Sequence, residues 1–401
     1  MIERARLLRT RVPHEHARVG FIELFFDLVF VFAVTQLSHT LIEHFTPQGA
    51  LETAMLLLAV WWVWIYTSWF TNWLDPERLP VRLMMLGLTL AGLIVSASIP
   101  QAFDGRGLAF AGAYAAMQLG RTAFALWVFS GSDERHRRNF TRILAWLAMA
   151  SVFWIGGGLA EGGMRIALWA AALAVEFAAP SLGYWMPVLG RSVTGDWNVE
   201  GGHFAERCGL FIIIALGESV LVTGATFSNM EWTAPAVAAF LCAAAGSLAM
   251  WWLYFDTSAV RATSRISHSD DPGRLARLAY TYMHIVLVAG IVLTAAGDEF
   301  SLAHPLGHAS VPTVIAVLGG PAVFLVGAAL FRWAICDEAP VSHLVGAAAL
   351  GALSFAAPWM PPVGLSAAAT VVLTAVAAWE KAFARAPVNH AEAALAGSRA
   401  A

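Results

Sequence analysis

Two carboxylates stand one helical turn apart in an otherwise apolar run, Phe21-Ile-Glu23-Leu-Phe-Phe-Asp27-Leu-Val-Phe. Residues i and i+4 share a helix face. Ser38 returns to that face and Thr35 flanks it, so a polar stripe runs up one side of the helix. Two ionised carboxylates this close repel, and one keeps its proton unless a cation sits between them. The pair could relay protons or hold a cation; tied to arginines, it would instead fix helix packing. A second run reads His203-Phe-Ala-Glu206-Arg207, then seven residues to Ala-Leu-Gly217-Glu218-Ser219. Glu218 is eleven residues beyond Arg207, near the same face and about 16 Å along the axis at ~1.5 Å per residue. Arg121 and Glu176 interrupt two other apolar runs, and Arg121 needs a partner among Asp27, Glu176 and Glu218. His284 lies in a further run, either as a proton carrier with an ordinary pKa near neutrality or as a hydrogen-bonded packing residue. Glu23, Asp27, Arg121, Glu176, Glu206, Arg207, Glu218 and His284 are therefore the candidate charged pathway or substrate or ion site.

These residues matter because of the solvent around them. Of the 401 residues, 59% are hydrophobic and 13% charged, against about 25% charged in soluble domains. The chain carries 17 Trp and 24 Phe. Such a composition excludes a disordered chain and an ordinary soluble enzyme. With a net charge of -3 and no dense basic stripe, nucleic acid is not an expected partner. The partners expected are the lipid bilayer and a small solute or ion, with homo-oligomers open. An ionisable group placed in lipid costs about 2.5–3.5 kcal/mol on insertion scales, so each is a functional candidate by default.

A spanning helix needs about 20 mostly apolar residues. Twelve such runs are present, near 20–42, 51–71, 83–103, 107–130, 140–160, 165–189, 204–227, 234–258, 276–297, 311–331, 342–359 and 362–383. The runs are continuous rather than alternating, which excludes a barrel. The stretch 297–311, with Asp298, Glu299, His304 and His308, reads as a polar loop. The fold class is all-α, polytopic, with about twelve transmembrane helices. Five arginines precede the first run, which is too long for a signal-peptide core, so that run reads as an uncleaved anchor. With the N-terminus inside, 21 of the 24 Arg and Lys fall in inner segments, as the positive-inside rule requires. The reading is N-in, C-in, in the cytoplasmic membrane.

The two halves resemble one another. Trp61-Trp62 with Tyr66 matches Trp251-Trp252 with Tyr254, Ala91 to Val95 matches Ala289 to Leu293, and Glu176 sits opposite Glu380. Six spans per half make the repeats parallel, and the interface between such halves is where a midplane site forms. The organisation expected is a basic tail at 1–19, a first six-helix repeat at 20–190, a second at 200–383 and a C-terminal tail at 384–401. No phosphate-cradling loop, H-E-x-x-H, C-x-x-C or G-x-S-x-G is present. Cys208, Cys242 and Cys336 read as small packing residues. No cofactor, metal site or catalytic residue is expected.

Glu23-Leu-Phe-Phe-Asp27-Leu-Val-Phe-Val-Phe and the run from His203 to Ser219 resemble the two long motifs of the bacterial low temperature requirement protein A family. Thr71-Asn72-Trp73 followed by Arg82, and Trp251 to Asp256, also fit, over about residues 15 to 385. Cys208 departs from the pattern, where Phe is expected. The resemblance implies a multi-pass membrane protein and states no molecular activity. A looser likeness, at the level of fold, is to the endosomal potassium channel family with two six-helix repeats; Phe26-Asp27 fits its signature and the second half has no such pair. The leading reading is a transporter or channel for a small solute or ion. The alternatives are a membrane-embedded enzyme acting on lipid or isoprenoid, and a non-catalytic scaffold or sensor.

Overall fold

The computed structural model describes residues 6–10, 18–130, 133–197, 199–336 and 340–383. The C-terminal tail and most of the N-terminal tail lie outside these, as does the side chain of Cys336. The first half contains α1 (Phe21–Glu43), α2 (Pro47–Trp73), α3 (Leu79–Ser98), α4 (Gly107–Phe129), α5 (Glu134–Leu159) and α6 (Gly162–Ser181). The second contains α7 (Gly201–Ser228), α8 (Ala234–Ser267), α9 (Pro272–Ala303), α10 (Val311–Cys336), α11 (Val341–Leu353) and α12 (Pro362–Phe383). Among the described residues no β-strand forms, only two isolated bridges. Ten of these helices are long and apolar enough to cross a membrane.

The helix boundaries follow local chemistry. Thr46 accepts from Gly49 N at 3.1 Å and Pro47 opens α2, a cap and a first-turn proline. Asp133 caps α5 through its bonds to Arg135 N and His136 N. Two helices depart from the expected spans by running on. α8 continues to Ser267 through a π-helical stretch, Leu253–Ala259, and α9 holds a second, Ala276–Met283. α9 also continues into the stretch expected to be a loop, as far as Ala303, so Asp298 and Glu299 are helical while residues 304–310, with His304 and His308, form the loop. The first breaker of α9 is Pro305, which disfavours the helical conformation for the residue before it, and the helix ends at Ala303. Two other helices are not among the ten. α11 has 13 residues where 342–359 was expected to cross, about 20 Å at ~1.5 Å per residue against a core of about 30 Å. α4 has the length, but Gln118 and Arg121 dilute its apolar surface and it is not among the ten.

α2 is buried on every side at its middle: Trp61, Trp62, Val63, Trp64 and Ile65 are each 0% exposed. A helix apolar all round belongs at the centre of a bundle. By contrast Leu28, Leu90, Val152, Leu248 and Val371 point outward and are exposed, the surface a lipid solvent accepts. The α9–α10 pair crosses closely. A Cβ at Gly290 would lie 2.4 Å from Phe324 N, and one at Gly320 2.5 Å from Thr294 N. Only glycine allows the two backbones to approach this far, a membrane-helix device.

The same pairs of elements pack together in both halves. α1 packs on α3 as α7 does on α9, α3 on α4 as α9 on α10, α4 on α5 as α10 on α11, and α5 on α6 as α11 on α12. Between the halves, α1 lies along α7. Their side-chain contacts join residues 184, 180 and 183 positions apart, an offset constant to about one helical turn, as parallel helices give.

Candidate functional site

The α1–α7 seam carries the charged residues. α7 begins at Gly201 under the cap of Glu200, whose carboxylate accepts from Gly202 N and His203 N at 3.0 and 2.6 Å. His203 and Arg207 are then i and i+4 and face α1 together. Arg207 is 0% exposed and bridges the two α1 carboxylates. Its Nη1 donates to Glu23 Oε1 at 3.0 Å and its Nη2 to Asp27 Oδ1 at 2.7 Å. His203 Nε2 lies 3.0 Å from Glu23 Oε1. Arg9, reaching in from the N-terminal tail, donates to Glu23 Oε2 at 3.2 Å. That tail is pinned by Arg9 N to Trp73 O and by Asp75 N to Leu7 O, both 2.9 Å. Asp27 Oδ1 also accepts from Trp64 Nε1 at 2.8 Å, and the Arg207 guanidinium lies 5.6 Å from the Trp64 ring centre. Asn72 completes the cluster, with Nδ2 3.3 Å from His203 Nδ1. Within it Asp27 Oδ2 and Arg207 Nε are buried with no hydrogen-bond partner.

Further along the seam lies Glu218, 1% exposed. The Thr35 hydroxyl of α1 donates to its Oε2, and its Oε1 is buried without a partner. Ser38 Oγ is also buried and unpartnered. The next residue, Ser219, turns to α9 and donates to Asp298 Oδ2 at 3.2 Å, with Ser247 of α8 at 3.3 Å. Asp298, helical and buried, is thus an acid held by Ser219, the neighbour of Glu218. Thr226 and Glu299 extend this polar line, 2.7 Å apart.

The remaining candidates are elsewhere. Glu206, one residue before Arg207, is rotated off the seam and exposed. Arg121 meets none of Asp27, Glu176 or Glu218 directly. It donates to Val63 O at 3.0 Å, to Thr67 Oγ1 at 2.9 Å and to Gln118 Oε1. Gln118 Nε2 in turn reaches Glu176 at 3.5 Å, and Tyr114 donates to Glu176 at 2.5 Å. His284 has both nitrogens occupied: Nδ1 donates to Ala279 O at 3.0 Å, leaving Nε2 to accept from Tyr254 at 2.8 Å. Trp61, Tyr280 and Phe331 enclose its ring. In the second half Glu380 of α12 pairs with Arg332 of α10 and accepts from Ser342 of α11.

Sequence reasoning missed Arg9, Asn72, Trp64 and Asp298. For His203 the signal was present, because it stands four residues before Arg207. For Asp298 the signal was the lack of a helix breaker before Pro305. Among the described residues no three His, Cys, Asp or Glu side chains gather as a metal site.

An all-helical bundle with ten membrane-length apolar helices and buried charge between them is a multi-pass membrane protein. The chain belongs to the bacterial low temperature requirement A protein family, which matches residues 18–378. It is 41% identical over 368 residues to a Rhizobium meliloti protein described only as uncharacterized, covering 91% of this chain and 90% of that one. No solved structure matches it significantly.

Proposed function

We infer that the protein is a transporter or channel for a small solute or ion in the cytoplasmic membrane, with Glu218 as its charge-carrying group. The observation that carries this reading is the α1–α7 seam, where the Glu218 carboxylate is buried with one oxygen unpartnered. A buried polar atom of that kind is costly and invites an ion, a proton or water. Glu23, Asp27, Arg207 and His203 form the clamp that joins the two halves at one end of this path. With Arg9 the cations and carboxylates here pair off, although Asp27 Oδ2 and Arg207 Nε stay open, so their role in this reading is to set how α1 and α7 move against each other. Asp298, reached through Ser219, is the second acid on the route.

A cavity of about 720 Å³ supports a cation over an anion. It opens among the α1–α2, α3–α4 and α5–α6 connections and is lined by Glu43, Glu52, Asp104 and Glu161. With the N-terminus inside, these connections are all outer, and their negative field would concentrate cations there. The same reading takes the bundle as two parallel six-helix repeats. The matching order of helix pairs and the parallel α1–α7 contact support it, as does the echo between Arg121–Gln118–Glu176 and Arg332–Glu380.

The test is proton and potassium flux into proteoliposomes, comparing wild type with Glu218→Gln and Asp27→Asn. Flux abolished by Glu218→Gln in a folded protein is the expected result. Wild-type vesicles silent to both ions, with an altered lipid profile in a deletion strain, would favour an enzyme acting on lipid instead.

A further inference from the structure

We propose that Glu218, Ser38 and Thr53 form one oxygen-lined site for a dehydrated monovalent alkali cation, where α1, α2 and α7 meet three turns beyond the clamp. This deepens the transport reading and rests on its choice of Glu218; it names the class of ion and adds two ligands. Three open oxygens carry it. Glu218 Oε1, Ser38 Oγ and Thr53 Oγ1 are each buried with no hydrogen-bond partner, in residues 1%, 0% and 4% exposed. Buried oxygens left open are costly and call for a partner. Neighbouring hydroxyls on the same helices close onto their own backbone instead. Thr35 and Thr40 donate to Val31 O and Gln36 O at 3.0 and 2.7 Å, and Thr67 to Val63 O at 2.8 Å.

Helix geometry puts the three at one level. In the clamp Asp27 of α1 accepts from Trp64 of α2 and from Arg207 of α7. Ser38 and Glu218 stand eleven residues beyond Asp27 and Arg207, and Thr53 eleven before Trp64 on α2, which runs the other way. Eleven residues are about three turns and ~16 Å, and return to within ~20° of the same face. The helices are still neighbours at this height: Thr35 of α1 bonds Glu218 of α7, and residues 44–46 alone join α1 to α2.

The chemistry selects the ion. Hard cations take oxygen ligands, which a carboxylate and two hydroxyls supply. One carboxylate balances one positive charge, and among the described residues no three His, Cys, Asp or Glu gather as a divalent metal would need. No Arg or Lys among the described residues pairs with Glu218; exposed His39 of α1 is the ionisable group within its electrostatic reach. A proton would occupy the carboxylate and leave both hydroxyls open.

The probes are sodium and potassium chloride, added to the full-length protein in detergent, with N-methylglucamine chloride holding the ionic strength constant. Thermal melting reads binding, because a ligand held only by the folded protein raises the melting temperature. A saturable rise with at least one of the two alkali cations is expected, and Glu218→Gln should abolish it. Ser38→Ala and Thr53→Val should each raise the half-saturating concentration at least tenfold. In alkali-free buffer the same two variants should melt no lower than wild type, since each deletes a hydroxyl that bonds nothing in the protein. No saturable rise with either cation overturns the site, as does unchanged half-saturation in either hydroxyl variant. A lower melting temperature of both in alkali-free buffer overturns it too, because the hydroxyls would then be bonded within the protein. Binding is read without flux. Proton flux that depends on Glu218, with no alkali binding, sinks this site and leaves the transport reading standing; alkali binding without flux does the reverse.

Discussion

Removing the Arg207 guanidinium tests the clamp between the halves most sharply. Arg207→Met keeps an apolar stem and deletes both ion pairs. The loss falls unequally. Glu23 keeps Arg9, His203 and Gly20 N at 3.2, 3.0 and 2.8 Å. Asp27 keeps only the Trp64 indole at 2.8 Å, with its Oδ2 already unpartnered. Breaking a fully buried pair from one side costs about 3–5 kcal/mol, because it strands the other charge. Arg207→Met is therefore expected to destabilise by about 3–5 kcal/mol. Replacing both members of such a pair is far cheaper. Asp27→Asn in the Arg207→Met background should thus recover about half of the loss or more, a coupling of at least roughly 2 kcal/mol. Reversible unfolding in mixed micelles, followed by tryptophan emission, measures all four corners of the cycle. A loss under about 1 kcal/mol for Arg207→Met, or simple additivity in the double variant, refutes the clamp.

Gly290→Ala should destabilise by about 1–3 kcal/mol, the cost of overpacking, because its Cβ meets Phe324 backbone that cannot yield. Gly87→Ala on α3, with nothing within 4 Å, should be neutral or stabilising by up to about 1 kcal/mol; thermal melting compares the two. Burial would raise the Asp133 pKa, but hydrogen bonds from the His136 side chain and backbone outweigh it and hold the carboxyl below its usual range. The stability this cap contributes is therefore present above the unfolded carboxylate pKa near ~4 and is lost as pH falls below that. Asp133→Ala should cost about 1 kcal/mol at neutral pH and progressively less in acid, as read by unfolding at a series of pH values.

Much of this arrangement was legible in the residues. Apolar run length alone placed the helices, since lipid leaves the backbone few alternatives. The i, i+4 spacing put Glu23 and Asp27 on one face, and the eleven-residue spacing put Arg207 and Glu218 on another. The same rule applied to Glu206 would have turned it away from the seam, and applied to His203 would have turned it inward. What spacing does not encode is which helix lies opposite. Arg121 and Glu176 meet only through Gln118, and nothing local marks that glutamine as a bridge. Arg9 enters the cluster through a backbone pairing of the tail with the α2–α3 turn, a non-local contact without a periodic signature. Asp298 was hidden because a charge pair, Asp298-Glu299, resembles a loop until the absence of a breaker is weighed. α11 was overestimated because apolarity continues past Leu353 into Pro358, while the helix does not.

The central claim is that the carboxylate of Glu218 carries the transported charge. The measurement is cation flux, protons first, in proteoliposomes holding equal amounts of folded wild type and Glu218→Gln. The account predicts flux in the wild type and at least a tenfold loss in the variant. Equal flux in the two would contradict it.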